Sequence, residues 1–289
     1  MTPPDLTDRA QLARQRARAM RSDDPALFLH EEMRAEVQER LQEVNKSFTA
    51  PAIVTPYRGI WQDAFPDAVI VPDDEVLSLQ PEAHDLVIHA LGLHWANDPV
   101  GQLVQLRRAL RPDGLCIAAL FAGQTLAELR AVLAEAEARI TGGLSPRVAP
   151  MAEVRDLGAL LQRAGFALPV ADAVRTEAAY RDILHLARDL RAMGEGNALA
   201  ARDRRTPPRA LFAEAGALYA AHHADGSGRI TATFEIVYLT GWAPHESQQK
   251  PLRPGSAAAR LADALGTDET PLGESVPPAP GPDRTREGN

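Results

Sequence analysis

With 289 residues and a net charge of −8, the chain has room for one domain of about 200 residues plus flanking segments, with a core large enough to fold without staples. That acidic balance argues against nucleic-acid backbone as the principal partner. A single cysteine, Cys116, excludes an internal disulfide, and no apolar run approaches the ~18 residues of a membrane span, so a reducing, cytoplasmic setting is expected.

Residues 1–47 read as an N-terminal helical segment. Arg9, Arg14, Arg16, Arg18 and Arg21 follow one another with no acid between them. The run is read as a solvated helix face, a contact with a protein, an anionic lipid surface or RNA being the alternative. Asp24-Pro25 starts the next helix, a cap followed by proline, and Leu29, Met33, Val37, Leu41 and Val44 recur at helical spacing.

Residues 48–243 alternate strand and helix, the pattern of a mostly parallel α/β sheet. Strands are expected at 53–54, 69–71, 85–91 and 115–121. A helix opening at Asp98-Pro99 carries Val100, Leu103, Leu106 and Leu110 on one face and stops at a turn, Arg111-Pro112-Asp113-Gly114. A long helix over 125–140 turns Leu126, Leu129, Leu133 and Ile140 inward and breaks at Gly142-Gly143; another stops at Gly165. A strand over 166–174 and helices over 178–193 and 207–223 follow. In the clearest strand, Ile230, Ala232, Phe234, Ile236 and Tyr238 alternate with Thr231, Thr233, Glu235 and Val237, as in an antiparallel strand with unequal faces. Residues 244–289 read as a polar segment and a disordered, proline-rich tail.

Several motifs stand out in order: Ile70-Val71-Pro72-Asp73-Asp74-Glu75, Asp85-Leu86-Val87-Ile88, Leu93-His94-Trp95-Ala96-Asn97-Asp98-Pro99 and Arg107-Arg108-Ala109-Leu110-Arg111-Pro112-Asp113-Gly114. Together they resemble the class I S-adenosylmethionine-dependent methyltransferase family, in particular the branch containing the biotin-pathway carboxyl methyltransferase. Ser145-Pro146-Arg147-Val148, Arg188-Asp189-Leu190-Arg191-Ala192-Met193-Gly194-Glu195 and Thr240-Gly241-Trp242-Ala243-Pro244-His245-Glu246 are similar to the bacterial relatives of a mitochondrial complex I assembly factor. The resemblance implies a Rossmann-like fold with N-terminal helices and a late antiparallel strand, S-adenosylmethionine as cofactor, and a protein partner among the subunits of respiratory complex I. That factor is regarded as hydroxylating an arginine on such a subunit.

The cofactor half departs from the family pattern. A glycine-rich turn after the first strand should let backbone N–H groups reach the cofactor, and an acid ending the second strand should hold the ribose. The turn here is Thr55-Pro56-Tyr57-Arg58-Gly59, with one glycine, one missing N–H and two bulky side chains. Ile53 and Leu86 lie 33 positions apart (86 − 53), whereas two strand–helix units need about 60. One unit is missing, most economically strand 2 with its helix. The triplets Gly194-Glu195-Gly196 and Gly226-Ser227-Gly228 do not follow strands and cannot substitute. If S-adenosylmethionine binds, Tyr57, Gly59, Asp73 and Asp74 are its expected contacts; otherwise Asp73-Asp74-Glu75 is a solvated turn and Arg58 is a candidate to occupy the space of the cofactor carboxylate.

His94, Trp95 and Asn97 follow a strand at the edge where ligands of open α/β sheets sit, and are expected to face substrate or partner, unless Trp95 only plugs the sheet edge. Trp242, His245 and Gln249 belong to a polar segment that lines a pocket, grips a partner or forms a surface turn. The spacing of His84, His89 and His94 fits neither a helix face nor a strand face, so no metal site is expected. Catalytic residues are unassigned. Two readings follow. One is a protein that acts on or chaperones a partner in complex I assembly with a degenerate cofactor niche. The other is an active small-molecule or protein (arginine) methyltransferase or hydroxylase with a non-standard cofactor site.

Overall fold

The computed structural model describes residues 5–248; Gln249 and most of the expected tail lie outside the described residues. Residues up to Glu246 fold as one compact unit. The apolar runs become six strands: β1 (Pro51–Val54), β2 (Val69–Val71), β3 (His84–Ala90), β4 (Leu110–Phe121), β5 (Ala167–Tyr180) and β6 (Ile230–Trp242). Their spatial order is β2-β1-β3-β4-β6-β5. The first four are mutually parallel, and β6 runs antiparallel between β4 and β5. This is the Rossmann-like sheet expected from the sequence.

Eight helices occur among the described residues: α1 (Arg9–Ala19), α2 (Phe28–Glu43), α3 (Arg58–Gln62), α4 (Pro99–Ala109), α5 (Ala127–Thr141), α6 (Val154–Arg163), α7 (Ile183–Ala192) and α8 (Arg209–His223). Because side chains alternate across a strand, the sheet sends Ile53, Ile88, Ile117 and Phe121 into one core with α2, α5, α7 and α8. Val54, Val87, Cys116 and Leu120 enter a second core with α4 and α6. The residues of β6 expected on one face, from Ile230 to Tyr238, all belong to the first core.

Between β1 and β3 there is only the short α3 and the three-residue β2, which pairs directly with β1. One strand–helix unit is missing, as the spacing required. Three local expectations are corrected. Arg111-Pro112-Asp113-Gly114 is an irregular opening of β4, not a free turn: His84 pairs with Leu110 and Leu86 with Leu115, leaving the intervening residues bulged. β5 extends to Tyr180, because twelve of its residues find partners on the long β6, and tertiary pairing overrides the helix preference of its alanines. The helix then starts only at Ile183, where Asp182 accepts from Leu184 N and His185 N. Ile140 is 43% exposed, the buried stripe of α5 being Leu129, Val132, Leu133 and Ala136.

Candidate functional site

The carboxyl end of β1 is filled. Thr55 N donates to Val71 O at 3.0 Å and Tyr57 N to Thr55 Oγ1 at 3.1 Å. Pro56 has no N–H, so the first three positions of the turn offer no amide to a cofactor. Tyr57 turns inward to 1% exposure, packs edge-on against His30 with centroids 4.7 Å apart, and donates its hydroxyl to Met193 O. Gly194, at φ +78°, permits this approach, since a Cβ there would collide with Tyr57 Oη. Burial drives the Tyr57 phenol well above its ordinary range.

Asp73, just beyond β2, completes the plug. Arg16 Nη1 lies 2.8 Å from both carboxylate oxygens, and Arg9 adds an ion pair at 3.7 Å and a hydrogen bond to Asp73 O. The Arg16 and Asp73 side chains are 9% and 6% exposed. The arginine run is therefore not wholly a solvated face: Leu12, Arg16 and Ala19 form the buried side of α1. Burial works against the Arg16 charge, but Asp73 and Glu195 outweigh it and hold the guanidinium protonated. Gly92 after β3 accommodates the same carboxylate, for a Cβ there would lie 2.6 Å from Asp73 Oδ2. As arranged, these residues do not fit an adenosyl group over β1, because the acid suited to ribose hydroxyls is already held by two arginines.

A second polar centre sits beyond β3 and β4. The single 3₁₀ turn Leu93–Trp95 sets His94 and Trp95 against Glu195, which follows the glycine that ends α7. Trp95 Nε1 at 2.6 Å and His94 Nε2 at 3.1 Å both donate to Glu195 Oε2. Burial pushes the Glu195 carboxyl up, yet His94, Arg16 and the Trp95 hydrogen bond prevail and bring it down to about 2. It is a carboxylate at neutral pH. Burial lowers His30 and His89 to about 4, so both are neutral there. Buried polar atoms without a partner occur here and at the plug. At this centre Glu195 Oε1 and His94 Nδ1 are buried without a hydrogen-bond partner; at the plug so are Arg16 Nε and Nη2, Arg9 Nη1 and both nitrogens of His30. Buried polar atoms are normally paired, so the Glu195–His94 cluster has capacity for a ligand or ordered water.

A cavity of about 340 Å³ adjoins it. Phe121, Leu129, Leu133, Leu190, Phe212 and Phe234 give it apolar walls. The buried His94, Trp95 and Glu195 side chains form its deep polar end; Arg191 and Arg205 line it on the solvent side, and the half-buried Arg147 and Arg202 line it as well. Tyr57, Gly59, Asp73 and Asp74 are not among its lining residues.

The residues expected to form a site are thus divided. His94 and Trp95 line the cavity. Asn97 instead ties down the N-terminal segment, accepting from Thr7 N at 2.8 Å and donating to Thr7 O. Asp74 is exposed, and its carbonyl accepts from Gln102 Nε2. Gly59 is exposed, and a Cβ added there would meet nothing within 4 Å, so no close approach requires this glycine. Asp73 is buried and paired, not a solvated loop residue, and it is Tyr57 rather than the exposed Arg58 that fills the niche. Trp242 pairs with Leu115 whereas Ile236 pairs with Phe121, which places Trp242 about 20 Å along β6 from the cavity wall. Lys46 Nζ stands 5.4 Å over its ring. With exposed His245 beyond it, Trp242 lies at the opposite edge of the sheet from His94 and Trp95. His84, His89 and His94 go to Ala50 O, Gln102 and Glu195 respectively. Among the described residues no cluster of three His, Cys, Asp or Glu side chains is placed to hold a metal.

Glu195 at the cavity and Arg16 at the plug are the residues that sequence reasoning passes over. An acid directly behind a helix-ending glycine, and Arg9, Leu12, Arg16 and Ala19 falling on one helix face, are the signals that point to them.

The sequence relationships agree with this fold. The chain is 40% identical over 196 residues to the mitochondrial arginine-hydroxylase NDUFAF5 of Dictyostelium discoideum, covering 68% of this chain and 45% of that one. With the Mus musculus protein of the same name, identity is 32% over 293 residues, 90% of this chain and 83% of the relative. The chain belongs to the NDUFAF5 family. A malonyl-[acyl-carrier protein] O-methyltransferase from Laribacter hongkongensis is 36% identical over 188 residues, covering 65% of this chain and 61% of the relative. The chain thus spans about half of one of these relatives and less than two thirds of another. No protein-family model matches it, and no helix of the described residues is long and apolar enough to cross a membrane.

Proposed function

We propose that this NDUFAF5-family chain acts on or chaperones a protein partner in respiratory complex I assembly, takes an arginine of that partner into the cavity beside Glu195, and does so without S-adenosylmethionine over β1. The observation that carries the reading is the pairing of a filled niche with an open cavity. Tyr57 and the Arg16–Asp73 pair close the first, while the second offers an ionised carboxylate whose Oε1 has no partner. A guanidinium suits that oxygen through a charge-assisted hydrogen bond. The aliphatic stem of arginine suits Leu190 and Leu129, and Trp95, Phe121 and Phe234 offer aromatic surface to the cation. The name of the relatives, arginine-hydroxylase, agrees with a guanidinium ligand. A free buried thiol at Cys116 agrees with a reducing cytoplasm.

Two titrations of the full chain test this. A blocked peptide containing one arginine is expected to bind, and Glu195→Gln to weaken it roughly 10- to 100-fold, as loss of a charged hydrogen bond predicts. Equal binding of an otherwise identical peptide with alanine for arginine removes the arginine from the reading. S-adenosylmethionine at millimolar concentration is expected to give neither heat nor thermal shift. Saturable heat, lost when Asp73 is changed to Asn, restores methyl transfer.

A further inference from the structure

The solvent side of the cavity carries charge opposite to that of the chain. Arg147, Arg191, Arg202 and Arg205 line the cavity, and Arg204, with its side chain 76% exposed, stands between two of them. Glu137 pairs with Arg147 at 2.6 Å, Asp8 with Arg202 at 2.9 Å and Asp203 with Arg205 at 3.0 Å. Five arginines against three carboxylates leave two positive charges (5 − 3) on a molecule whose net charge is −8. The surplus is available to a partner. Arg191, exposed in the last turn of α7, has no acidic partner among the described residues. Arg205 is 90% exposed, and an exposed pair like Arg205–Asp203 is easily exchanged for another.

The deep end makes the opposite demand, since Glu195 is a buried carboxylate with one oxygen unoccupied. The cavity is therefore cationic at its mouth and anionic in its depth. A bare cation is repelled at the mouth before it reaches the carboxylate, while one carried between acids is drawn in. Like charges placed against the wrong partner are a means of discrimination. Resting on the arginine-binding reading above, we infer that the rim is a docking surface for an acidic peptide segment: the partner presents an arginine flanked in sequence by Asp or Glu, whose carboxylates meet Arg191 and Arg205 while the guanidinium meets Glu195.

Fluorescence anisotropy with the full chain and three labelled, end-blocked peptides tests it. In the first, an arginine lies between aspartates; in the second, the same arginine lies between serines; in the third, alanine replaces the arginine between aspartates. The first peptide is expected to bind about tenfold more tightly than the second at low salt, an advantage that shrinks as salt screens exposed charge. Arg191→Glu and Arg205→Glu, both at exposed positions, are each expected to weaken the first peptide and to leave the second no weaker, because repulsion of its bare cation at the mouth is relieved, so that the two affinities converge. Equal affinities for the first two peptides overturn the docking surface while leaving the arginine reading in place. A third peptide that binds as well as the first leaves the rim standing and removes the guanidinium from Glu195. Capture by anionic phospholipid vesicles that the first peptide cannot displace assigns the rim to a membrane and overturns the inference.

Discussion

At the end of β1 and beside the end of β4 the same sheet edge has been treated in opposite ways. Over β1 the space is filled by the chain's own paired groups: Asp73 has Arg16 and Arg9, the Tyr57 hydroxyl has Met193 O, and the Thr55 and Tyr57 amides have acceptors, while Arg16 Nε and Nη2 keep no partner. Beside β4, Glu195 and His94 each keep a buried atom unmatched next to open space. The difference teaches where chemistry remains possible. A region whose space is filled by its own ion pair and aromatic ring contributes rigidity, and one whose unsatisfied groups face open space retains the capacity to bind.

The strongest way to break the contrast is to unplug the β1 end. Asp73→Ala leaves Arg16 buried without its counter-ion and is expected to cost about 3–5 kcal/mol in urea denaturation. Replacing both partners, Arg16→Met with Asp73→Leu, is expected to recover most of that loss. An Asp73→Ala protein of unchanged stability denies that the pair closes the niche.

Acid attacks the same region. His30 and His89 are held at about 4 against an ordinary 6.5, so between those values the unfolded chain binds protons that the folded chain refuses. Their contribution is fully present above pH 6.5 and falls as pH drops to 4, by about 3 kcal/mol for each. Stability measured across that window is expected to decline, with a shallower decline for His30→Phe. An identical slope for the variant places the acid sensitivity elsewhere.

Tyr57→Phe is a milder probe. Leaving Met193 O without its donor is expected to cost about 1–2 kcal/mol, and S-adenosylmethionine still gives no heat, because the ring remains. The smallest effect sharpens the division between the two sheet edges. His245→Ala is expected to leave affinity for the arginine peptide within about twofold, since sites this far apart act independently. A larger loss brings the two edges into one surface.

Much of this is legible in the chain. Local pattern finds the six strands though not the full lengths of β4 and β5, the helix α4 with its Asp98 cap, and the stop at Gly165, because caps and stops are set by local geometry. The spacing from Ile53 to Leu86 exposes the missing unit, since no rearrangement supplies absent residues. The cavity is only half legible. His94 and Trp95 follow a strand and are placed by topology, but Glu195 reaches them across about a hundred positions, and Arg16 reaches Asp73 across 57. Pairing at that range is decided by packing, which a linear pattern does not encode. Trp242 misleads for the same reason: strand direction, not composition, puts it at the other edge.

A short stretch ahead of α1 is tied to the segment that carries Arg202. Asp8 holds Arg202 across 194 positions, and Leu6 to Asp8 knit onto Ala198 to Ala200 through a two-sided bridge. Closing so large a loop is entropically slow, so an incomplete or misassembled polypeptide has no finished mouth to offer.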